Sequence, residues 1–192
     1  MVEVGFDFFV KLVGWPKQDY YVAKVTEAIL NGQNAISIPK EDYEEAKQVL
    51  SERQKADERL ASVAGRNTDG IQLEKEGRVE EAIALYENNI ADGYPATHSF
   101  DRLMKIYRKQ KDYENEVRVI RRAIEVFSLE NKKRAEHSIK QTPKKESEIR
   151  NALNTCSKVM GDDGLYCFVP YDVAAYTVRL NKALALFEKS NN

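Results

Sequence analysis

Apolar residues recur with a helical period along most of the chain, and the exceptions mark its boundaries. Val2, Val4, Phe6 and Phe8 alternate with other residues, which favours a short strand. Phe8, Phe9, Leu12 and Val13 equally suit one face of a short helix. Trp15-Pro16 breaks either element. Over residues 19–30, Tyr21, Val25, Ala28 and Ile29 form one helical stripe, closed by Asn31-Gly32 as a C-cap. Residues 35–38 are a short β-like run able to pair with residues 2–8. Pro39 then opens a helix at its first position, with Glu41, Asp42, Glu44 and Glu45 near the positive end of its dipole. Tyr43, Ala46, Val49, Leu50, Leu60 and Val63 hold the period to about Ala64, so the helix is expected to end near Gly65.

From Gly70 the pattern repeats. GIQLEKEGRVEEAIALYENNIADGYP is followed by MKIYRKQKDYENEVRVIRRAIEVF, and aligning Gly77 with Lys111 gives a spacing of 34. At that offset Leu73 meets Tyr107, Val79 meets Tyr113, Glu80 meets Glu114, Ile83 meets Val117, and Ile90 meets Ile124. Two helix–turn–helix units follow, about 66–76 with 79–91 and 97–109 with 113–127.

These two units resemble the tetratricopeptide repeat (TPR) family over about residues 66–127. The first carries the family's small residue at Gly70, its inter-helix glycine at Gly77, its alanine at Ala82 and its aromatic at Tyr86. The second keeps Leu103, Tyr107, Asp112-Tyr113-Glu114 and Ala123. Met104 stands where a small residue is usual, Glu116 and Asn89 replace packing alanines, and Phe100 takes the place of the usual tryptophan. Arg66 does not fit that last position in the first unit. The resemblance implies a mainly α, TPR-like stack of helical hairpins, with residues 1–64 an N-terminal helical or small α+β cap and 65–128 the hairpins.

Residues 128–141 are polar and read as an exposed helix extension or a connection. Thr142-Pro143 reads as N-cap plus first-turn proline. Ile149, Ala152, Leu153, Cys156, Val159 and Met160 then make an apolar helical stripe before a Gly161–Gly164 turn. Val173, Tyr176, Leu180, Ala183, Leu184 and Phe187 supply a last amphipathic helix. A repeat stack needs a cap over its final apolar face, and a helix pair within 129–192 is expected to provide it.

Composition narrows the class without naming a ligand. The 192 residues hold 30 Lys+Arg against 31 Asp+Glu, which excludes a wholly basic nucleic-acid binder and an acidic-tail protein. No stretch reaches the roughly 20 apolar residues of a membrane span. The N-terminus has acids before its apolar run and no small-residue cleavage site, so it is read as part of the fold rather than a signal peptide. Two cysteines make no disulfide framework, and a cytoplasmic setting is the default. The charge is unevenly spread, however: residues 1–101 carry a net −8, 102–150 a net +7 and 151–192 zero. Such asymmetry points to an anionic partner, to one part of the molecule facing another, or to head-to-tail pairing in a homo-oligomer.

No catalytic signature is present: the chain has no Gly-rich phosphate loop, CxxC, HExxH or GxSxG. His98 precedes a helix and suits capping or solvent, and His137 lies in a lysine-rich run. Cys156 and Cys167 read as core, and Asp162-Asp163 as a turn rather than a calcium loop. Neither a cofactor nor a metal is expected, and the chain is read as non-enzymatic. The TPR resemblance implies instead an adaptor, regulator or inhibitor that binds a peptide or protein in a groove lined by the first helix of each unit. Carried over residue by residue, that groove holds Asn67, Ile71, Glu74 and Lys75, then His98, Asp101, Lys105, Arg108 and Lys109. The Lys and Asn that open the family's carboxylate clamp are missing, so a chaperone tail is not the expected ligand. Lys105, Arg108 and Lys109 share one helical face and suit an acidic peptide or phosphate oxygens, unless Glu74 or Glu76 pairs with them. Arg118, Arg121 and Arg122 extend the basic segment as an anion or nucleic-acid alternative, though no stacking aromatics are interleaved with them.

Overall fold

The computed structural model describes residues 1–190. The fold is mainly α, with eight α-helices and four short strands among the described residues. No helix there is long and apolar enough to cross a membrane. The chain divides into two compact units, with the division between Ser62 and Val63.

In the first unit, strand β1 (Val2–Gly5) runs directly into helix α1 (Phe6–Val10). The ambiguous opening stretch therefore adopts both forms in succession, Val4 being buried from the strand and Phe9 from the helix. Helix α2 (Gln18–Leu30) ends at Asn31, and Gly32 takes the left-handed conformation (φ 73°) that turns the chain into β2 (Ala35–Ile38). β2 pairs antiparallel with β1, Val2 opposite Ile38 and Gly5 opposite Ala35. Trp15 and Tyr21 stack in the core with ring centroids 5.1 Å apart. Of the α2 stripe, Tyr21 and Ala28 are buried, whereas Ile29 is 55% exposed. Two of the four acids at the start of the next helix do more than complement a dipole. Lys17 Nζ reaches Asp42 Oδ1 at 2.7 Å and Glu45 Oε2 at 2.6 Å, and Tyr21 Oη donates to Asp42.

Helix α3 (Lys40–Lys75) corrects the expected stop at Gly65. Both Gly65 and Gly70 lie inside it with ordinary negative φ. An interior glycine costs roughly 1 kcal/mol relative to alanine, which weakens a helix without breaking it. The stop is Gly77, at φ 78°. The exposed middle of α3 is helped by same-face amide–carboxylate bonds from Gln48 to Glu52 and Gln54 to Glu58, 2.9 and 2.8 Å.

The second unit takes the end of α3 with α4 (Val79–Ala91), then α5 (Thr97–Gln110) with α6 (Tyr113–Gln141). The two hairpin turns match at the 34-residue offset. Gly77 N–H donates to Glu74 O and Arg78 N–H to Leu73 O. Lys111 N–H donates to Arg108 O and Asp112 N–H to Tyr107 O, within 0.1 Å of the first pair. Lys111 even adopts the left-handed backbone of Gly77, at φ 60°. Ala82 and Glu116, equivalent at that offset, are both fully buried. The core runs through Tyr86, Phe100, Leu103, Met104, Ile120 and Phe127.

Beyond Phe127 the expectations need adjustment. Residues 128–141 simply continue α6, and the extension is only partly exposed: Asn131, Ala135 and Ser138 are buried. Thr142 does not cap the next helix, because its hydroxyl turns back to Ser138 O at 2.7 Å. A 3-10 turn (Pro143–Lys145) leads into α7 (Glu146–Thr155), where Cys156 leaves the helix in the left-handed conformation at φ 52°. The expected apolar helical stripe is therefore cut at Thr155. Val159–Met160 form β3 instead, antiparallel to β4 (Tyr166–Phe168) across the anticipated turn. Ala135, Ile149, Ala152, Val159 and Phe168 make a small core of their own. Helix α8 (Val173–Ser190) alone returns to the main core, through Tyr176, Leu180, Ala183 and Leu184. The closing element is thus one helix, not a pair.

Candidate functional site: a basic cleft between two helices

Three carboxylates cross-brace successive helices of the second unit. Glu74 of α3 accepts from Tyr86 Oη of α4 at 2.8 Å and is held by both Nε (2.9 Å) and Nη2 of Arg102 on α5. Glu87 of α4 accepts from Tyr107 Oη of α5 at 2.7 Å and is held by both terminal nitrogens of Arg118 on α6. Glu116 of α6 is held by Arg108 Nε of α5, and Arg179 Nη2 of α8 lies 3.5 Å from its Oε1. In the first two, one carboxylate meets one guanidinium and one neutral hydroxyl, so the charges cancel. The Arg102 hydrogen bonds hold the Glu74 carboxyl below its ordinary range, while burial raises the Tyr86 and Tyr107 hydroxyls. In the third, a second arginine replaces the tyrosine, leaving one positive charge over.

The third brace underlies a cleft of about 480 Å³ between α5 and α8. Its charged lining is Lys105, Arg108 and Lys109 from α5 with Arg179 and Lys182 from α8. Ala175 and Val178 complete it, and no acid or aromatic lines it. Among the described residues Lys105, Lys109 and Lys182 make no ion pair, and each is exposed. Glu116 itself has no solvent exposure and no full hydrogen bond to Oε1. A buried carboxylate is costly unless compensated. Here it fixes Arg108 through Nε, leaving both terminal nitrogens of that guanidinium without a protein partner among the described residues.

The residues singled out from sequence separate into two groups. Asn67 is consumed internally: it accepts from Asn89 Nδ2 at 3.0 Å and Ser99 Oγ at 2.6 Å. Asn89 also donates to Val63 O and accepts from Arg66 Nε, so this buried polar residue at a packing position is fully satisfied. Glu74 is spent on its brace. His98 does not cap α5; it is half-buried against the Tyr86 ring, centroids 5.7 Å apart, with Nε2 buried and unpartnered. Ile71 is 37% exposed, and Asp101 is half-buried on α5 beside Tyr176 of α8. Lys105, Arg108 and Lys109 come together in the cleft, and the acids suggested as their neutralisers are engaged elsewhere, Glu74 by Arg102 and Glu76 by Arg78. Sequence reasoning missed Arg179 and Lys182, whose helix is brought to α5 by tertiary packing.

Arg118, Arg121 and Arg122 line a different cleft, of about 670 Å³, with Ile90, Val117 and Phe187 among its apolar lining. Glu87, Glu114 and Glu125 line it too, Arg118 is tied to Glu87, and Arg122 to Glu125 and Ile90 O. Its lining charges cancel. Cys156 and Cys167 are both half-buried, Cys167 packed against the small core of Ala135, Ile149 and Phe168, and His137 and Cys167 line one further cleft. Among the described residues no group of three or more His, Cys, Asp or Glu is placed to hold a metal. No protein-family model, no curated protein and no solved structure matches the chain.

Proposed function

We propose that the chain is a protein–protein interaction module built on TPR-like hairpins, and that it binds an acidic segment of a partner protein in the cleft between α5 and α8. The observation that carries this reading is the unbalanced lining of that cleft, five cations and no acid. Complementary charge of this kind steers association and selects partners more than it adds affinity. The TPR resemblance is supported by the repeated turn hydrogen bonds at offset 34, and Glu116 and Asn89, its two departures at packing positions, each make specific bonds of their own. Nucleic acid is the weaker reading. Arg102, Arg108, Arg118, Arg122, Arg134, Lys145 and Arg150 of the basic segment are already paired with acids of this chain. No aromatic platform lines the cleft for bases to stack on.

The test is fluorescence anisotropy with a labelled peptide of mixed Asp, Glu, Gly and Ser. Binding that is lost in Lys105→Glu/Lys109→Glu at unchanged helicity supports the reading. Binding unaffected by that pair of substitutions, or competed fully by a nuclease-sensitive ligand, refutes it.

A further inference from the structure

The third brace is built differently from the other two, and the difference has a chemical meaning. Glu74 and Glu87 each balance one guanidinium, with a tyrosine hydroxyl completing the set. At Glu116 the tyrosine is exchanged for Arg179, and the position equivalent at offset 34 is the small apolar Ala82. A fold needing only to fill this space uses alanine, as it does one hairpin earlier. Burying a carboxylate there instead costs desolvation, fixes the Arg108 guanidinium through Nε and draws that of Arg179 to within 3.5 Å. Arg108 spends Nε on Glu116, so its paired terminal N–H groups remain free in a planar fork. Such a fork matches two oxygens of one oxyanion. Three unpaired ammonium groups, those of Lys105, Lys109 and Lys182, line the same cleft.

We infer that the cleft between α5 and α8 is a phosphoryl-binding site, shaped for a phosphate monoester carried on a side chain of the partner's segment. The inference rests on the interaction-module reading only for what carries the group; the site itself rests on the Arg108–Glu116–Arg179 arrangement. Five lining cations over one buried carboxylate leave a surplus that a single carboxylate neutralises poorly. A phosphoserine side chain brings a charge of roughly −1.5 to −2 and three acceptor oxygens. A monoester is terminal and can enter between two helices end-on. A phosphodiester carries chain on both sides and only one charge, and the absence of aromatic lining removes the stacking that single-stranded nucleic acid relies on. Glu116 acts as a positioning residue, since it holds Arg108 and approaches Arg179 without lining the cleft.

The experiment is an NMR titration that follows the Nε–Hε signals of Arg108 and Arg179 in the full chain. The probes are N-acetyl-phosphoserine amide, N-acetyl-glutamate amide and a dinucleotide phosphodiester, at fixed ionic strength. The phosphoserine probe is expected to bind at least about fivefold more tightly than either competitor. Its affinity should fall as pH drops through the second phosphate pKa near ~6, with no such step for the glutamate probe. Lys105→Gln/Lys109→Gln, both exposed and free of structural bonds, should weaken it several-fold without loss of helicity. Glu116→Gln separates positioning from bulk charge. It removes a negative charge, so simple attraction makes binding tighter, whereas loss of the held guanidinium fork makes it weaker. Equal affinity for the three probes, no perturbation of either arginine, or tighter binding in folded Glu116→Gln overturns the inference. If the glutamate probe and acidic peptides bind as well as the phosphorylated one, the phosphoryl inference falls while the acidic-segment reading stands. If the phosphoserine probe binds and no peptide does, the reverse holds.

Discussion

Two glycines inside α3 should respond differently to the same substitution. A Cβ at Gly65 meets nothing within 4 Å, whereas one at Gly70 lies 2.6 Å from Tyr86 Cε1, 2.7 Å from Cζ and 3.0 Å from Oη. Carbon atoms pack at about 3.5–4.0 Å, so Gly70→Ala requires the Tyr86 ring to retreat by close to one ångström. The ring has nowhere to go. It is fully buried, and its hydroxyl is bound to Glu74, which Arg102 grips in turn. The intrinsic helical gain of alanine over glycine, about 1 kcal/mol, is common to both sites. The difference between the variants therefore isolates overpacking, about 1–3 kcal/mol. For a unit of this size that is about 3–5 °C of melting temperature per kcal/mol. Thermal melts by circular dichroism measure it, and the single tryptophan, Trp15, reports the first unit separately by fluorescence. Gly65→Ala should raise the second unit's transition. Gly70→Ala should lower it relative to Gly65→Ala, and in a Tyr86→Leu background, where the clashing ring is gone, the gap between the two glycine substitutions should shrink. If Gly70→Ala melts as high as Gly65→Ala, the contact between α3 and α4 at this point is wrong.

Asn89→Ala leaves Val63 O and Arg66 without their buried partner and should cost on the order of 2–3 kcal/mol, read from the shift in urea midpoint. Asp112 accepts from Asn115 N–H at 3.1 Å as the N-cap of α6, so Asp112→Ala should cost about 1 kcal/mol in the same assay. Acid stability should depend on Glu74. Its carboxyl is depressed mainly by Arg102, so its contribution is full above the unfolded value near 4.5 and is lost as pH falls through the lower folded value. Glu74→Gln should reduce stability at neutral pH and flatten the acid limb of the stability–pH curve. An unchanged limb refutes the assignment. At the alkaline end, burial pushes the Tyr176 hydroxyl up to about 12, so stability should decline as pH rises from 10 toward 12 and decline less in Tyr176→Phe.

Helical elements with whole apolar stripes were legible because burial and period carry the same information. The boundaries of α4 and α5 and the pairing of 35–38 with 2–8 followed from that pattern. Where local chemistry competed with tertiary packing, sequence reading failed. Gly77 reads as the inter-helix glycine and does turn the chain, but Gly65 also looks like a stop, and a helix tolerates a glycine whose φ stays negative. Cys156 continues an apolar helical stripe on paper. The chain nonetheless leaves the helix there, because Val159 and Phe168 gain a hairpin partner and a small core with Ala135 and Ile149. Lys105, Arg108 and Lys109 were found by helical spacing alone. Arg179 and Lys182 were not, because seventy residues of chain separate them from their neighbours in space.

The +7 excess of residues 102–150 also changes meaning once the helices are packed. Part of it is spent between successive helices of the second unit, where Arg102 on Glu74 and Arg118 on Glu87 join the basic segment to acids of the first 101 residues; the pairs of Arg122, Arg134, Lys145 and Arg150 with acids a few positions away lie inside the segment and leave its excess unchanged. Exposed pairs of the latter kind contribute little, typically under about 1 kcal/mol, but they cancel the field that a basic stripe otherwise projects. Lys105 and Lys109 make no ion pair among the described residues, and at their cleft α8 adds two further cations, Arg179 and Lys182, to the α5 face. This concentration of cations is produced by fold closure, in a chain whose net charge is −1. A buried carboxylate retained beneath it carries a desolvation cost, and the proposed recognition of an anion is the reading under which that cost and the clustered cations serve one purpose.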